Sequence, residues 1–210
     1  MGQSPGRTNQ KARTRATIVD AARALRSASG PPTVAAAADA AKVSRATAYR
    51  YFPTQEALQV EVESSTVNAP IEKLVAGFSS GDAGQRLRAL IDAYCDLAIR
   101  EEKHMRTALR VYQDTWLRGH EGGGAPPVRR GRRMEWLAVV LASLPNMPPA
   151  NLARLRAALA LTIGADSIVI LKDVVGLDHA EANTVLRWVA AQLLKAGIED
   201  AGHSHTRQDL

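Results

Sequence analysis

At 210 residues and 22.5 kDa, the chain has room for a small domain joined to a larger one, or for one large bundle. Hydrophobic residues make up 46% of it, too many for a disordered chain, and its single cysteine, Cys95, excludes an intrachain disulfide and a cysteine-based zinc site. The net charge of +6 is unevenly spread: through Gln55 nine Lys and Arg stand against only Asp20 and Asp39, a net +7, and the remainder sums to −1. A basic head on a nearly neutral body points to a polyanion-binding module, although residues 1–15 alone also read as a solvated basic tail. No apolar stretch approaches twenty residues without a charge, and the N-terminus lacks the apolar core of a secretory signal. The expected location is cytoplasmic, with no membrane partner.

Alanine and leucine dominate the apolar set and both favour helix, so the expected fold class is all-α. Residues 1–10, rich in Gly, Pro, Ser, Asn and Gln, read as a disordered arm. From Lys11 a helix follows in which Ile18, Ala22 and Leu25 share a stripe widened by Val19, until Ser29-Gly30-Pro31-Pro32 turns the chain. Thr33 caps a short alanine-rich helix to Ala41, Lys42-Val43 breaks it, and Ser44 caps a helix through Phe52. Past Pro53-Thr54, the next helix runs from Gln55 toward Phe78 with a bend at Pro70. Residues 83–100 carry Leu87, Leu90, Ile91, Tyr94, Leu97 and Ala98 on one broad face. Residues 102–118 place Met105, Leu109, Tyr112 and Trp116 at spacings of four, three and four. After a Gly/Pro loop from His120 to Pro127, helices are expected at 128–144, 149–174 and 178–196. Gly176 joins the last two, Asp178 caps the final one, and Gly197 stops it before a frayed tail at 199–210.

The informative stretch is Thr33 to Gln55. Two short capped helices joined by a turn of three to four residues make a helix-turn-helix, whose second helix enters the major groove of DNA. On that helix Val43, Ala48 and Phe52 suit packing against the first two helices. Arg45 and Tyr49 lie four apart on another face, with Ala46 and Arg50 beside it. Such a face makes little sense as core. It suits double-stranded DNA, because arginine donates twice to guanine O6 and N7. The helix N-terminus at Ser44 and the hydroxyls of Thr33, Thr47, Tyr49 and Tyr51 are candidates for phosphate contacts. For Tyr49 and Tyr51, ordinary half-buried packing is the alternative.

Ala16-Thr17-Ile18-Val19-Asp20-Ala21-Ala22 in the first helix, and the run from Ala41 to Leu58, resemble the tetracycline-repressor (TetR) family of transcriptional regulators. The specific element is Val43-Ser44-x-x-Thr47-x-Tyr49-x-Tyr51-Phe52 followed by Glu56-x-Leu58. It covers about a quarter of the chain. Three departures from the family pattern stand out. Lys42 occupies a turn position usually held by Gly, where a side chain at positive φ is strained and its charge can reach a phosphate. Gln55 replaces a phosphate-binding Lys and leaves only a neutral hydrogen bond, and Ala37 and Ala48 replace larger aliphatic residues. The resemblance implies a DNA-binding domain over 11–58 and a helical domain over 59–198 that binds an effector and dimerises.

The residues permit both of those roles. Tyr94, Cys95, His104, Met105, Leu109, Tyr112, Trp116 and Trp136 combine aromatic surface with sparse polar groups, the composition of a cavity for a small, largely apolar effector, although each also suits an ordinary core position. Leu155, Leu159, Ile163, Val185, Val189 and Leu193 lie on apolar faces of the last two helices and read as a homodimer interface, or else as intramolecular core. Gly164 and neighbouring alanines would allow close helix approach there. Arg129-Arg130-Gly131-Arg132-Arg133 is either a solvated helix start or an anion site. The histidines (His104, His120, His179, His203, His205) form no catalytic constellation, and no His-Glu-x-x-His, Gly-x-Ser-x-Gly or P-loop pattern occurs. No catalytic residue, metal or cofactor is expected. The expected function is a sequence-specific DNA-binding repressor released by an effector, with an all-α ligand-binding or interaction protein lacking a specific DNA target as the alternative.

Overall fold

The computed structural model describes residues 5–26, 30–79, 81–121, 132–144 and 147–206. Every element among them is a helix or helical turn, so the fold is all-α. The chain divides into two compact units, residues 1–67 with 107–128, and residues 68–106 with 129–210. The first unit therefore reaches past the expected boundary at 58 and includes a segment far downstream.

In the first unit, α1 (Pro5–Ala24), α2 (Val34–Ala40), α3 (Arg45–Tyr51) and α4 (Gln55–Val67) surround one core. That core consists of Ile18, Val19 and Ala22 from α1, Val34, Ala37 and Ala38 from α2, Ala48 and Phe52 around α3, and Leu58 and Val62 from α4. Ala37 and Ala48 are wholly buried, so their small side chains let the helix backbones approach closely. Leu25, expected on the buried stripe, is 41% exposed because α1 has already ended at Ala24. The helix also starts at Pro5, inside the segment expected as an arm; proline is tolerated in a first helical turn, where its missing N–H has no intrahelical partner to lose. A second cluster joins Val60 of α4 to Ala108 and Val111 of α7 (Glu102–Glu121).

The second unit is built on α5 (Ala69–Ala76), α6 (Ala83–Arg100), α8 (Arg133–Leu141), α9 (Pro149–Leu159), α10 (Ala165–Val169) and α11 (His179–Thr206). The expected long helix through Pro70 is two helices, α4 and α5, parted at Asn68. The face expected on α6 is buried as read, from Leu87 through Ala98.

The helix expected over 149–174 is broken. After α9 come a 3-10 turn at Ala160–Thr162, extended backbone at Ile163 and Gly164, α10, and a π turn at Ile170–Val174. Arg133 fills the break from the start of α8, donating to the Ala160 carbonyl at 3.0 Å and to Asp166 at 2.8 Å. The Thr162 hydroxyl donates to the Leu159 carbonyl at 2.7 Å, and the Ser167 hydroxyl to the Leu161 carbonyl, so side chains satisfy carbonyls the interrupted helix leaves open. Gly164 thus serves no helix–helix approach. A Cβ there would overlap the Arg133 guanidinium.

Gly197 does not end α11 as expected. The helix continues to Thr206, and Gly197 is the point where Leu155 of α9 presses against it, its methyl groups 2.9 and 3.0 Å from where a Cβ would sit. Leu155, Leu159 and Ile163 are accordingly buried within the chain, which corrects their assignment to a dimer face. Val185, Val189 and Leu193 are half-buried beside the buried Ala182, Leu186, Ala190 and Leu194 stripe, and Trp188 stands 65% exposed on the opposite side of α11.

The Arg133–Gly164 fit yields a measurable expectation. Gly164→Ala should lose about 1–3 kcal/mol of stability in urea denaturation through overpacking. Adding Arg133→Ala should recover part of that loss, because the overlapping group is then gone.

Candidate nucleic-acid interface

Thr33 lies in extended backbone at the start of α2, and its hydroxyl accepts from the Ala36 amide at 3.1 Å, so it is an N-cap as expected. α2 ends in a paired closure. The Lys42 amide donates to the Asp39 carbonyl at 3.2 Å and the Val43 amide to the Ala38 carbonyl at 3.1 Å, with Lys42 at φ 54. That is the glycine-type helix stop, made here by a lysine. Ser44 then caps α3, accepting from the Thr47 amide at 3.1 Å and sharing a hydrogen bond with the Thr47 hydroxyl at 2.8 Å.

α3 shows the two faces its spacing implies. Ala48 is buried, with Phe52 buried beyond it and Val43 partly covered, while Arg45, Ala46, Tyr49 and Arg50 are exposed, Tyr49 by 47%. Tyr51 packs against the core of the unit, and the Arg50 guanidinium lies 5.7 Å from its ring centre. Arg45 is ion-paired with Asp39 of α2, its Nη2 at 2.9 Å and its Nε at 3.4 Å from the two carboxylate oxygens. The hydrogen bond from Arg45 holds the Asp39 carboxyl below its usual range, and the same bond raises the guanidinium.

Gln55 is placed differently from the expectation. Its carbonyl oxygen accepts from the Val34 amide at 2.9 Å and its NH2 donates to the Pro32 carbonyl. Both ends of the amide are therefore engaged inside the protein, which corrects its reading as a phosphate contact. The side chain fastens the start of α4 to the start of α2.

Sequence reasoning also missed what holds α1 and α4 together. Arg15 pairs with Glu61 through both terminal nitrogens, Nη1 and Nη2, the Tyr112 hydroxyl donates to Glu61 at 3.1 Å, and the guanidinium lies 5.2 Å from the Phe52 ring centre. Arg15 counted only as positive charge in the sequence, and nothing in the spacing marks a partner 46 residues away.

The eight effector candidates are divided between the two units. Leu109, Tyr112 and Trp116 belong to the first unit, and Tyr94, Cys95, His104, Met105 and Trp136 to the second. Trp116 is 47% exposed, whereas Trp136 is buried in the core. In the second unit the Tyr94 hydroxyl reaches the Met105 sulfur at 3.7 Å. Met105 also lines a cleft with Ala98, Glu102, Arg106, Ala165, Ile168 and Val169, about 190 Å³ including its open mouth. Burial pushes the Cys95 thiol up to about 11, with the charge of Asp92 adding to the effect. Of the basic cluster, Arg132 pairs with Glu72 and Arg133 clamps the α9–α10 break, both structural roles. Arg129 to Gly131 and the Gly122–Gly124 loop lie outside the described residues. Among the described residues no three His, Cys, Asp or Glu side chains gather as metal ligands, and no helix is long and apolar enough to cross a membrane.

A family model described as bacterial regulatory proteins, tetR family, matches residues 18–62. The match begins at Ile18 of α1 and ends at Val62 of α4, both members of the first unit's core. Residues 18–62 thus resemble the N-terminal segment of tetR-family bacterial regulatory proteins. The crystal structure of a TetR transcriptional regulator from Rhodococcus sp. RHA1 superposes with 88% of this chain and 97% of that one, at 17% identity and a TM-score of 0.47. No protein of curated function matches the chain.

Two outcomes follow from this geometry. Lys42→Gly should raise stability by about 1 kcal/mol, since a left-handed residue with a side chain costs roughly that much, and a urea titration reads it. At pH 8 the native Cys95 thiol should react with iodoacetamide roughly a hundredfold more slowly than in the denatured chain, because a raised thiol pKa leaves little thiolate.

Proposed function

We propose that the protein is a homodimeric, cytoplasmic transcriptional repressor that leaves a double-stranded DNA operator when a small, largely apolar effector binds its second unit. The observation that carries the DNA-reading part is the face of α3. Arg45, Tyr49 and Arg50 stand exposed on a helix whose other side is sealed by Ala48 and Phe52. An exposed arginine at the start of such a helix meets base edges when the helix enters the major groove, and the cap region meets phosphates. Thr33 keeps its O–H for a phosphate while its oxygen caps α2, and Ser44 and Thr47 share one O–H between them, leaving the other to donate.

Dimerisation supplies the second reading helix, about 34–36 Å from the first, so that two major-groove segments on one side of the duplex are read together. Val185, Val189 and Leu193, with the exposed Trp188, are the α11 side chains left to meet a partner copy once Leu155, Leu159 and Ile163 are taken as core. For the effector, the cleft beside Met105 is lined mainly by apolar atoms, with Glu102 and Arg106 as its charged residues. The space it encloses is about 10 Å³, room for one water, against the roughly 300–1,000 Å³ usual for a ligand site. An effector there selects a more open arrangement of α6, α7 and α10, and release from DNA follows as a population shift.

The test is a salt-titrated binding assay on DNA flanking the gene and on random duplex. Affinity should fall steeply with salt while a preference for the flanking fragment persists. Arg45→Ala should lower that preference about tenfold, the discrimination of one bidentate contact. Lys42→Ala should weaken both duplexes alike and reduce the salt slope by about one. Equal binding of wild type to flanking and random DNA would defeat the reading.

A further inference from the structure

Asp39 is one of only two acids before Gln55, and its carboxylate stands beside the arginine best placed to read a base. Near a phosphate backbone such a charge weakens binding to any sequence. An exposed ion pair also adds little to folding stability. Neither general affinity nor stability accounts for it there.

The manner of pairing is informative. A guanidinium offers two donor edges, Nε with Nη2 and Nη1 with Nη2. Asp39 takes the first, at 3.4 Å to Nε and 2.9 Å to Nη2. The second edge, the fork that matches guanine O6 and N7, stays outside the ion pair. The same residue is fixed through its backbone, since its carbonyl accepts the Lys42 amide that closes α2. Asp39, Lys42 and Arg45, each three apart, thus form one unit: the lysine turn sets the approach of the two helices, and the aspartate sets the arginine.

We propose that Asp39 is a specificity-determining residue that grips Arg45 side-on and holds its outer fork toward a base, trading general DNA affinity for discrimination. This rests on the reading of α3 as the helix that enters the major groove. Free arginine side chains sample many rotamers, and ordering one before contact reduces what binding must spend on it. The same freedom lets an ungripped Arg45 settle on any nearby phosphate, which strengthens binding to wrong sequences.

The experiment uses the full-length chain at one salt concentration. A preferred duplex is selected by wild type from a random pool, and affinities for it and for a scrambled duplex are measured for wild type, Asp39→Ala, Asp39→Asn, Arg45→Ala and the Asp39→Ala/Arg45→Ala double variant. Asp39→Ala should bind scrambled DNA several-fold more tightly and lose about tenfold in preference. Asp39→Asn, which keeps an acceptor without the charge, should lose less. The double variant should discriminate no worse than Arg45→Ala alone, since both changes remove one device. A preference unchanged in Asp39→Ala would overturn the proposal and leave Asp39 as mere charge. A preference that rises would overturn it too, making the pair a lock that DNA must break. If wild type selects no sequence at all, the DNA-reading function fails and the proposal falls with it.

Discussion

Lys42 adopts φ 54 so that the amides of Lys42 and Val43 can turn back onto the carbonyls of Asp39 and Ala38. That closure ends α2 within one residue and sends the chain straight into the Ser44 cap of α3. Its tightness sets the approach of the two helices, which is why Ala37, Ala38 and Ala48 must be small and can be wholly buried. It also brings the Asp39 carboxylate within reach of Arg45. A glycine would make this turn at lower backbone cost. Lysine accepts the strain and adds a charge beside the exposed face of α3.

The small alanine core gains support from polar fastenings at its periphery. Gln55 ties the start of α4 to both Pro32 and Val34, and Arg15 with Glu61 ties α1 to α4. Tyr112 extends the second fastening to α7, and Val60 with Ala108 and Val111 supplies apolar contact on the same side of α4. These interactions cover donors and acceptors that would be costly to leave half-buried and unmatched. Through them Ala108, Val111 and Tyr112 of α7 join the four N-terminal helices in the first unit.

The second unit solves a different problem. A continuous helix over 149–174 would carry Leu155, Leu159 and Ile163 on one line, yet the chain breaks at Gly164 and lets Arg133 into the gap. Beyond the break, Arg106 bridges Glu102 and Asp173, and Lys172 also reaches Glu102, so the π turn is held by charge at its outer side. These bonds depress the carboxyls of Glu102, chiefly through Lys172, and Asp173, through Arg106. The contribution of these pairs is present above the ordinary carboxylate range and fades as pH falls through the lowered values.

The stretch from Thr33 to Phe52 was largely legible because its signals are local. Caps at Thr33 and Ser44, the turn at Lys42, and the buried Ala48 and Phe52 opposite exposed Arg45 and Tyr49 all arise from residues within a few positions of one another, where helical geometry fixes who faces whom. Periodicity likewise gave the buried face of α6. What only the tertiary structure decided has partners far apart in the chain: Gln55 with Pro32, Tyr112 with Glu61, Arg133 with Ala160, and Gly197 with Leu155. Apolar residues on a helix show the same periodicity whether they face their own core or a second copy, so Leu155, Leu159 and Ile163 read equally as interface. Spacing along one helix says which residues share a side, and only packing says what that side meets.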